Sequence, residues 1–382
     1  VSLDRPMKLH PKAPDVIEVD FERKIEMTVP EGKIFVLEEE TTKVAGNVMP
    51  HPLTLRVNLG DCIKVNLKNK MKASRASFFA PGLAFDPRDS QGLNVGNNSG
   101  EQTVGLGESR TYTYYAHPLN KEMTSLVWDG GNIVVNPRNG LYGAVIVGPR
   151  GSQYRDPLSG EDLSQKNSWR ADVIVDRSLV ENAGKVNYRD VALFFQDEDN
   201  IIGTAFMPYV QNVAGLTSVN YRSEPYKFRE EQGCSLGKIF QPCAVDKPED
   251  PVTPIIEAHA GDPVRIHVIG ANSEQNGMFG VEGHEWPIEP YMPGADMISV
   301  VEYAGSETLD VFLRQGAGGP YRQAGDFLWS NQRLPYTQSG QWGYFRVLPV
   351  GDQRILPLTA GQVGAKQAQV EPQQTPVAMV RP

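Results

Sequence analysis

Asp197, Glu198 and Asp199, followed by Asn200, form a dense run of oxygen donors. Such a run could hold a hard cation such as calcium or manganese, which takes oxygen ligands; at a strand end it equally serves as a solvated turn. The six histidines are scattered. His259 and His267 share one strand-turn-strand element and could converge on a metal, or stand on a solvated face beside Arg265. His284, near Trp286, fits a turn in which a backbone group satisfies it, and His10, His51 and His117 each lie near a proline and read as loop residues. Cys234 and Cys243 fall in one turn-rich segment and could close a short disulfide, with Cys62 as a buried thiol at the start of an apolar alternation; three free thiols are the alternative. Asn97-Asn98-Ser99 is a glycosylation sequon. No nucleophile elbow, phosphate-binding loop or zinc signature is present.

The elements that must carry these groups are strands. With 37 glycines and 29 prolines among 382 residues, short apolar runs are broken repeatedly by turn residues, and no long amphipathic helix stands out. A net charge of -9 without a basic run argues against nucleic acid as a partner, and no apolar stretch is long enough to span a membrane. The length suits two domains, each able to bury a core.

An internal repeat divides the chain. Leu55, Val57 and Leu59 alternate with polar residues up to Gly60-Asp61, and the alternation resumes with Ile63, Val65 and Leu67; residues 256–269 repeat this frame with Gly261-Asp262 at its turn. Residues 305–313 answer 107–115, and 340–349 answer 140–149. Three blocks in one order indicate a duplicated domain. The expected plan is an N-terminal arm over 1–15, a first unit over 16–150, a linker over 151–185, a second unit over 186–350 with an insertion at about 203–251, and an extended or partner-bound tail over 351–382. The opening at Val1, without Met or an apolar leader, fits a processed export product or part of a longer polypeptide.

The stretch 325–347, in which Phe327 and Trp329 lead into a loop and Trp342, Tyr344 and Val347 lead out, resembles the last copper loop of the multicopper oxidases, a family of repeated cupredoxin β-barrels. The resemblance runs from about residue 16 to 350. It is similar in frame and different in ligands. Where the family carries copper-binding His, Cys or Met, this chain has Phe79 and Pro81 in the first motif, Gly130 and Asn132 in the second, Gly277, Gly280 and Glu282 in the third, and Ser330, Asn331, Gln332, Tyr336 and Gln341 in the fourth. The third motif keeps its last, usually non-ligating histidine as His284, and Trp128, Phe279, Trp329 and Trp342 are expected to hold the core. Asn94-Val-Gly-Asn, Phe194-Phe-Gln-Asp-Glu-Asp199, Asn220-Tyr-Arg-Ser-Glu-Pro225 and Gly283-His-Glu-Trp-Pro287 resemble phrases of the large bacterial, manganese-oxidase-like members.

The resemblance implies an all-β chain of two tandem cupredoxin-like Greek-key β-sandwich or barrel domains. Copper needs imidazole and thiolate donors that these positions lack, so no copper, catalytic residue or other cofactor is expected on them, and Asp197 to Asp199 remain the candidate for calcium or manganese. The function expected is a non-catalytic, multicopper-oxidase-like structural or interaction subunit of a periplasmic or extracellular assembly, with a protein partner, further cupredoxin domains or a second copy beside it. The alternative is part of an active metal-oxidising enzyme whose copper lies in other domains or subunits.

Overall fold

The computed structural model describes residues 1–5, 7–8, 16–19, 23–26, 28–29, 31–45, 50–98, 100–198, 216–243, 250–273 and 275–358. It is built almost wholly of strands, with a few helices of six residues or fewer among the described residues. In the first unit Leu53–Asn58 runs parallel to Gly143–Gly148, which pairs antiparallel with Met123–Val127; Cys62–Lys68 pairs antiparallel with Ser109–Tyr115. The second unit repeats the arrangement: Ile256–His259 runs parallel to Trp342–Leu348, and Val264–Ser273 pairs antiparallel with Thr308–Phe312.

The repeat extends to individual turns. The Asp61 carboxylate accepts from Asn58 N and that of Asp262 from His259 N, at 2.8 and 3.0 Å. In both turns the preceding glycine has positive φ, +93° at Gly60 and +86° at Gly261, a conformation other residues adopt only with strain. Glu108 and Glu307 likewise accept from Gly105 N and Ala304 N. This pairs Gly107 with Ser306, one residue along from the Gly305 suggested by the sequence.

Strand alternation sends the two faces into different cores. From the 143–148 strand, Val145 and Val147 enter the first unit's own core, whereas Ala144 and Ile146 face the second unit. From the 188–198 strand, Val191, Leu193 and Phe195 enter the second unit's core, while Ala192 and Phe194 meet Ala144, Ile146 and Leu126 in the shared layer. Phe279, Trp329 and Trp342 are buried as expected, whereas Trp128 is half-buried.

Four expectations need correction. The stretch 151–185, read as a linker, contains Gln153–Arg155 and Arg170–Ile174, which extend the second unit's large sheet through 188–198; Ala171, Val173 and Val175 supply a buried face that a solvated linker would lack. Within the expected arm, Ser2–Asp4 pairs with Lys33–Phe35. Within the expected insertion, Leu216–Val219 joins the large sheet, and Tyr226, Cys234 and Ile239 pack on Trp342 and Tyr344. Cys62 is exposed, because it begins a strand whose alternate residues face outward. Residues 199–215, 244–249 and 359–382, with residues 6 and 9–15 of the expected arm and Ser99 of the sequon, lie outside the described residues.

Candidate functional site

The third and fourth motifs are neighbours: Gly277–Val281 pairs with Gly325–Asn331, setting Gly280 against Ser330 and Phe279 against Asn331. Asn331 uses its whole amide. Its Oδ1 accepts from Met278 N and Arg333 N, and its Nδ2 donates to Gln341 Oε1 at 2.7 Å and to the Tyr303 hydroxyl at 3.1 Å. Gln341 donates onward to the Gln196 carbonyl at 2.8 Å. Tyr336 donates to Asp197 Oδ2 at 3.0 Å. The side-chain space at Gly277 is taken by the Tyr303 ring, 2.1 Å from where a Cβ would lie, and that at Gly280 by the Gln332 amide at 2.2 Å. Asn331, Tyr336 and Gln341 thus meet in a buried polar plug, while Glu282 faces solvent.

The plug draws its polypeptide geometry from a short helix, Leu334–Gln338, followed by Gly340 at φ +113°, which turns the chain into Trp342–Leu348. The first unit has the same device in Val135–Arg138 and Gly140 at φ +102°. There, Asp129 takes the central place: Oδ1 accepts from Ser77 N, and Oδ2 from Asn132 N and Asn136 Nδ2. Burial raises its pKa against those hydrogen bonds. The Gly130 amide donates to Ser77 Oγ, and Asn132 Oδ1 receives the Val135 amide at the helix start. Phe79 exchanges backbone bonds with Trp128, leaving its ring beside Phe85, and Pro81 is exposed.

Of the acidic run, Asp197 does not stand in a solvated turn. Asp197 is 6% exposed and turned inward to Tyr336; the side chain of Glu198, and Asp199 and Asn200 altogether, lie outside the described residues. No group of three or more His, Cys, Asp or Glu side chains suited to a metal occurs among the described residues. Cys234 and Cys243 are joined as a disulfide, with Cα atoms 5.4 Å apart.

The histidine pair of the second unit is buried rather than solvated, and its members do not meet. His259 contacts Arg189, whereas His267 contacts Asp190, the next residue of one strand and therefore on the opposite sheet face. His259 donates from Nε2 to the Asp352 carbonyl and accepts from Arg189 at Nδ1. His284 behaves as expected: Nε2 accepts the Gly318 amide, so Nδ1 carries the proton shared with the Glu282 carbonyl. His51 accepts from Arg222 and stacks on Trp169 at 5.4 Å; burial, then Arg222, lower its pKa.

His267 is the centre of a charged cluster in the layer between the units. It is fully buried, with Nε2 2.6 Å from Asp190 Oδ1 and Nδ1 2.6 Å from Asp310 Oδ1. Both nitrogens therefore act as donors to carboxylates. Although burial opposes the charge, Asp190 and Asp310 raise the imidazole pKa; despite its own burial, Asp310 is held down at about 2, chiefly by His267. The first unit supplies Thr124 Oγ1, 3.0 Å from Asp310, and Arg56 Nε, 2.8 Å from Asp190. Beside them Arg265 donates to Glu122 at 2.7 Å and lies over the rings of Phe312 and Tyr188. The imidazole lies between its two carboxylates, so these donors address one another rather than a common point. A charged pair in an otherwise apolar strand, Arg265 and His267 among Val264, Ile266, Val268 and Ile269, was the sequence signal for this cluster.

No family model and no curated protein sequence matches the chain. Solved structures do. The multicopper oxidase mgLAC superimposes with a TM-score of 0.53 at 14% identity, over 92% of this chain and 86% of that one. The blue copper oxidase from Nitrosomonas europaea gives 0.52 at 15%, over 87% and 83%, and a further multicopper oxidase 0.51 at 16%, over 91% and 86%. At such identity the likeness establishes the fold: this is an all-β chain of tandem cupredoxin-like β-sandwiches, the architecture of multicopper oxidases.

Proposed function

We propose that this chain is a copper-free form of that architecture, a non-catalytic structural or interaction module of an extracytoplasmic assembly. The observation carrying the reading is the polar plug of Asn331, Tyr336, Gln341, Tyr303 and Asp197. Copper in a cupredoxin-type site calls for imidazole and thiolate; amides and phenols do not fit it, and here they are engaged with one another. Opening the plug for a metal would strand buried donors and acceptors, at about 1–3 kcal/mol each. The Asp129 network in the first unit supports the same conclusion. The Cys234–Cys243 disulfide supports an oxidising compartment. No helix among the described residues is long and apolar enough to cross a membrane.

The test is elemental analysis of the purified chain before and after incubation with copper and exhaustive dialysis. The expected result is far less than one copper per chain in both samples. Retention of about one copper per chain, with loss on Asn331→Leu or Gln341→Leu, would overturn the reading, because those residues would then be ligands.

A further inference from the structure

We propose that the recess between the two units, walled by Met123, Ile288 and Leu309 and floored by Thr124 and Asp310, binds a small uncharged organic molecule with an apolar body and one O–H or N–H donor. The recess has a volume of about 320 Å³ and draws walls from both units. That size and place suit a small-molecule site, for which an apolar lining with a few convergent polar atoms is the usual construction.

The floor provides one open acceptor. Asp310 Oδ1 is occupied by His267 Nδ1 at 2.6 Å and Thr124 Oγ1 at 3.0 Å, which fix the carboxylate from behind. Among the described residues, Oδ2 meets only the Tyr291 hydroxyl, at a long 3.3 Å. A ligand donor reaching Oδ2 would improve on that contact. Charge selects a neutral ligand. The carboxylates of Asp190, Asp310 and Glu122 face the cations of Arg56, Arg265, His267 and Lys185, so a further cation meets no net attraction, and an anion would confront Asp310. The rim supplies the apolar contact: Ile288 is 55% exposed, with Tyr291 beside it, and Met123 lines the recess from the first unit; methionine adapts readily to an irregular guest.

Cyclohexanemethanol and its methyl ether, which keeps the apolar body and loses the donor, are the probes, followed by saturation-transfer NMR on the full chain. The alcohol is expected to bind saturably and the ether about tenfold more weakly, the effect of one hydrogen bond at a fixed acceptor. Leu309→Trp, which fills the recess, should abolish binding; Ile288→Trp, at an exposed rim position, provides the same block should the first variant fail to fold. Absence of saturable binding by the alcohol, equal binding of the ether, or binding that survives a folded tryptophan variant would each overturn the proposal.

Discussion

Replacing His267 with leucine removes a cation from between two buried carboxylates. Asp190 keeps Arg56, and Asp310 keeps Thr124 and the long contact to Tyr291, but each loses a 2.6 Å charged hydrogen bond. Removing one partner of a buried ion pair typically destabilises by about 3–5 kcal/mol, and His267→Leu is expected to fall in that range near neutral pH. The pH dependence carries a second signature. In the wild type the raised imidazole pKa contributes stability in full below the unfolded value of 6.5, lost as pH rises through the folded value. The lowered pKa of Asp310 contributes in full above 3.8, lost as pH falls through about 2. This cluster therefore supports a stability plateau from about pH 4 to 6.5 with an alkaline decline. The variant should lose that alkaline decline and gain relative to wild type towards acid, where its stranded carboxylates take up protons. Urea unfolding followed by tryptophan fluorescence at about pH 5, 7 and 9 measures both effects. A variant within about 1 kcal/mol of wild type at pH 5, with an unchanged slope to pH 9, would refute the imidazolium bridge.

Other perturbations separate rigid from yielding contacts. Gly277→Ala drives a Cβ against the buried Tyr303 ring and is expected to destabilise by about 1–3 kcal/mol, whereas Gly280→Ala meets only the end of the Gln332 side chain and should have an effect under about 1 kcal/mol; parallel urea titrations compare them. Asn331→Leu leaves the Gln341 side-chain oxygen without its donor and the Met278 amide without its acceptor and is expected to lose about 1–3 kcal/mol; adding Gln341→Leu should cost less than it does alone, a coupling that a double-mutant cycle reads directly. Substituting serine for Cys234 and Cys243 opens a loop of nine-residue separation, expected to lose about 2–3 kcal/mol and to expose the segment over Trp342 to limited proteolysis.

Much of the fold was legible because it is local or repeated. The Gly60-Asp61 and Gly261-Asp262 turns can be recognised from two residues each, since both the positive φ and the carboxylate cap are encoded on the spot. The alternation of Val264, Ile266 and Val268 marked a strand, and its continuity with Ile269 and Ala271 reflects burial of both faces. What was missed lies in long-range pairing. His267 looked solvated beside Arg265, yet its carboxylates come from Asp190 and Asp310, separations at which periodicity is silent. Asp197 looked like a turn acid because its partner, Tyr336, stands in another motif. The stretch 151–185 was misjudged through its polar loops, although Ala171, Val173 and Val175 carried a strand alternation within it.

The parallel pairing of 188–198 with 264–273 bears on the order in which the chain can fold. During synthesis the first unit emerges complete while the 188–198 strand still lacks its neighbour, which follows some seventy residues later. Until then the apolar layer of Leu126, Ala144 and Ile146 lacks the cover that Ile269 and Ala271 supply. Long-range parallel pairing is slow to form, so this interval is when self-association competes with folding. A chain ending at about residue 150 would keep that face open permanently, and its natural fate is aggregation rather than an autonomous domain.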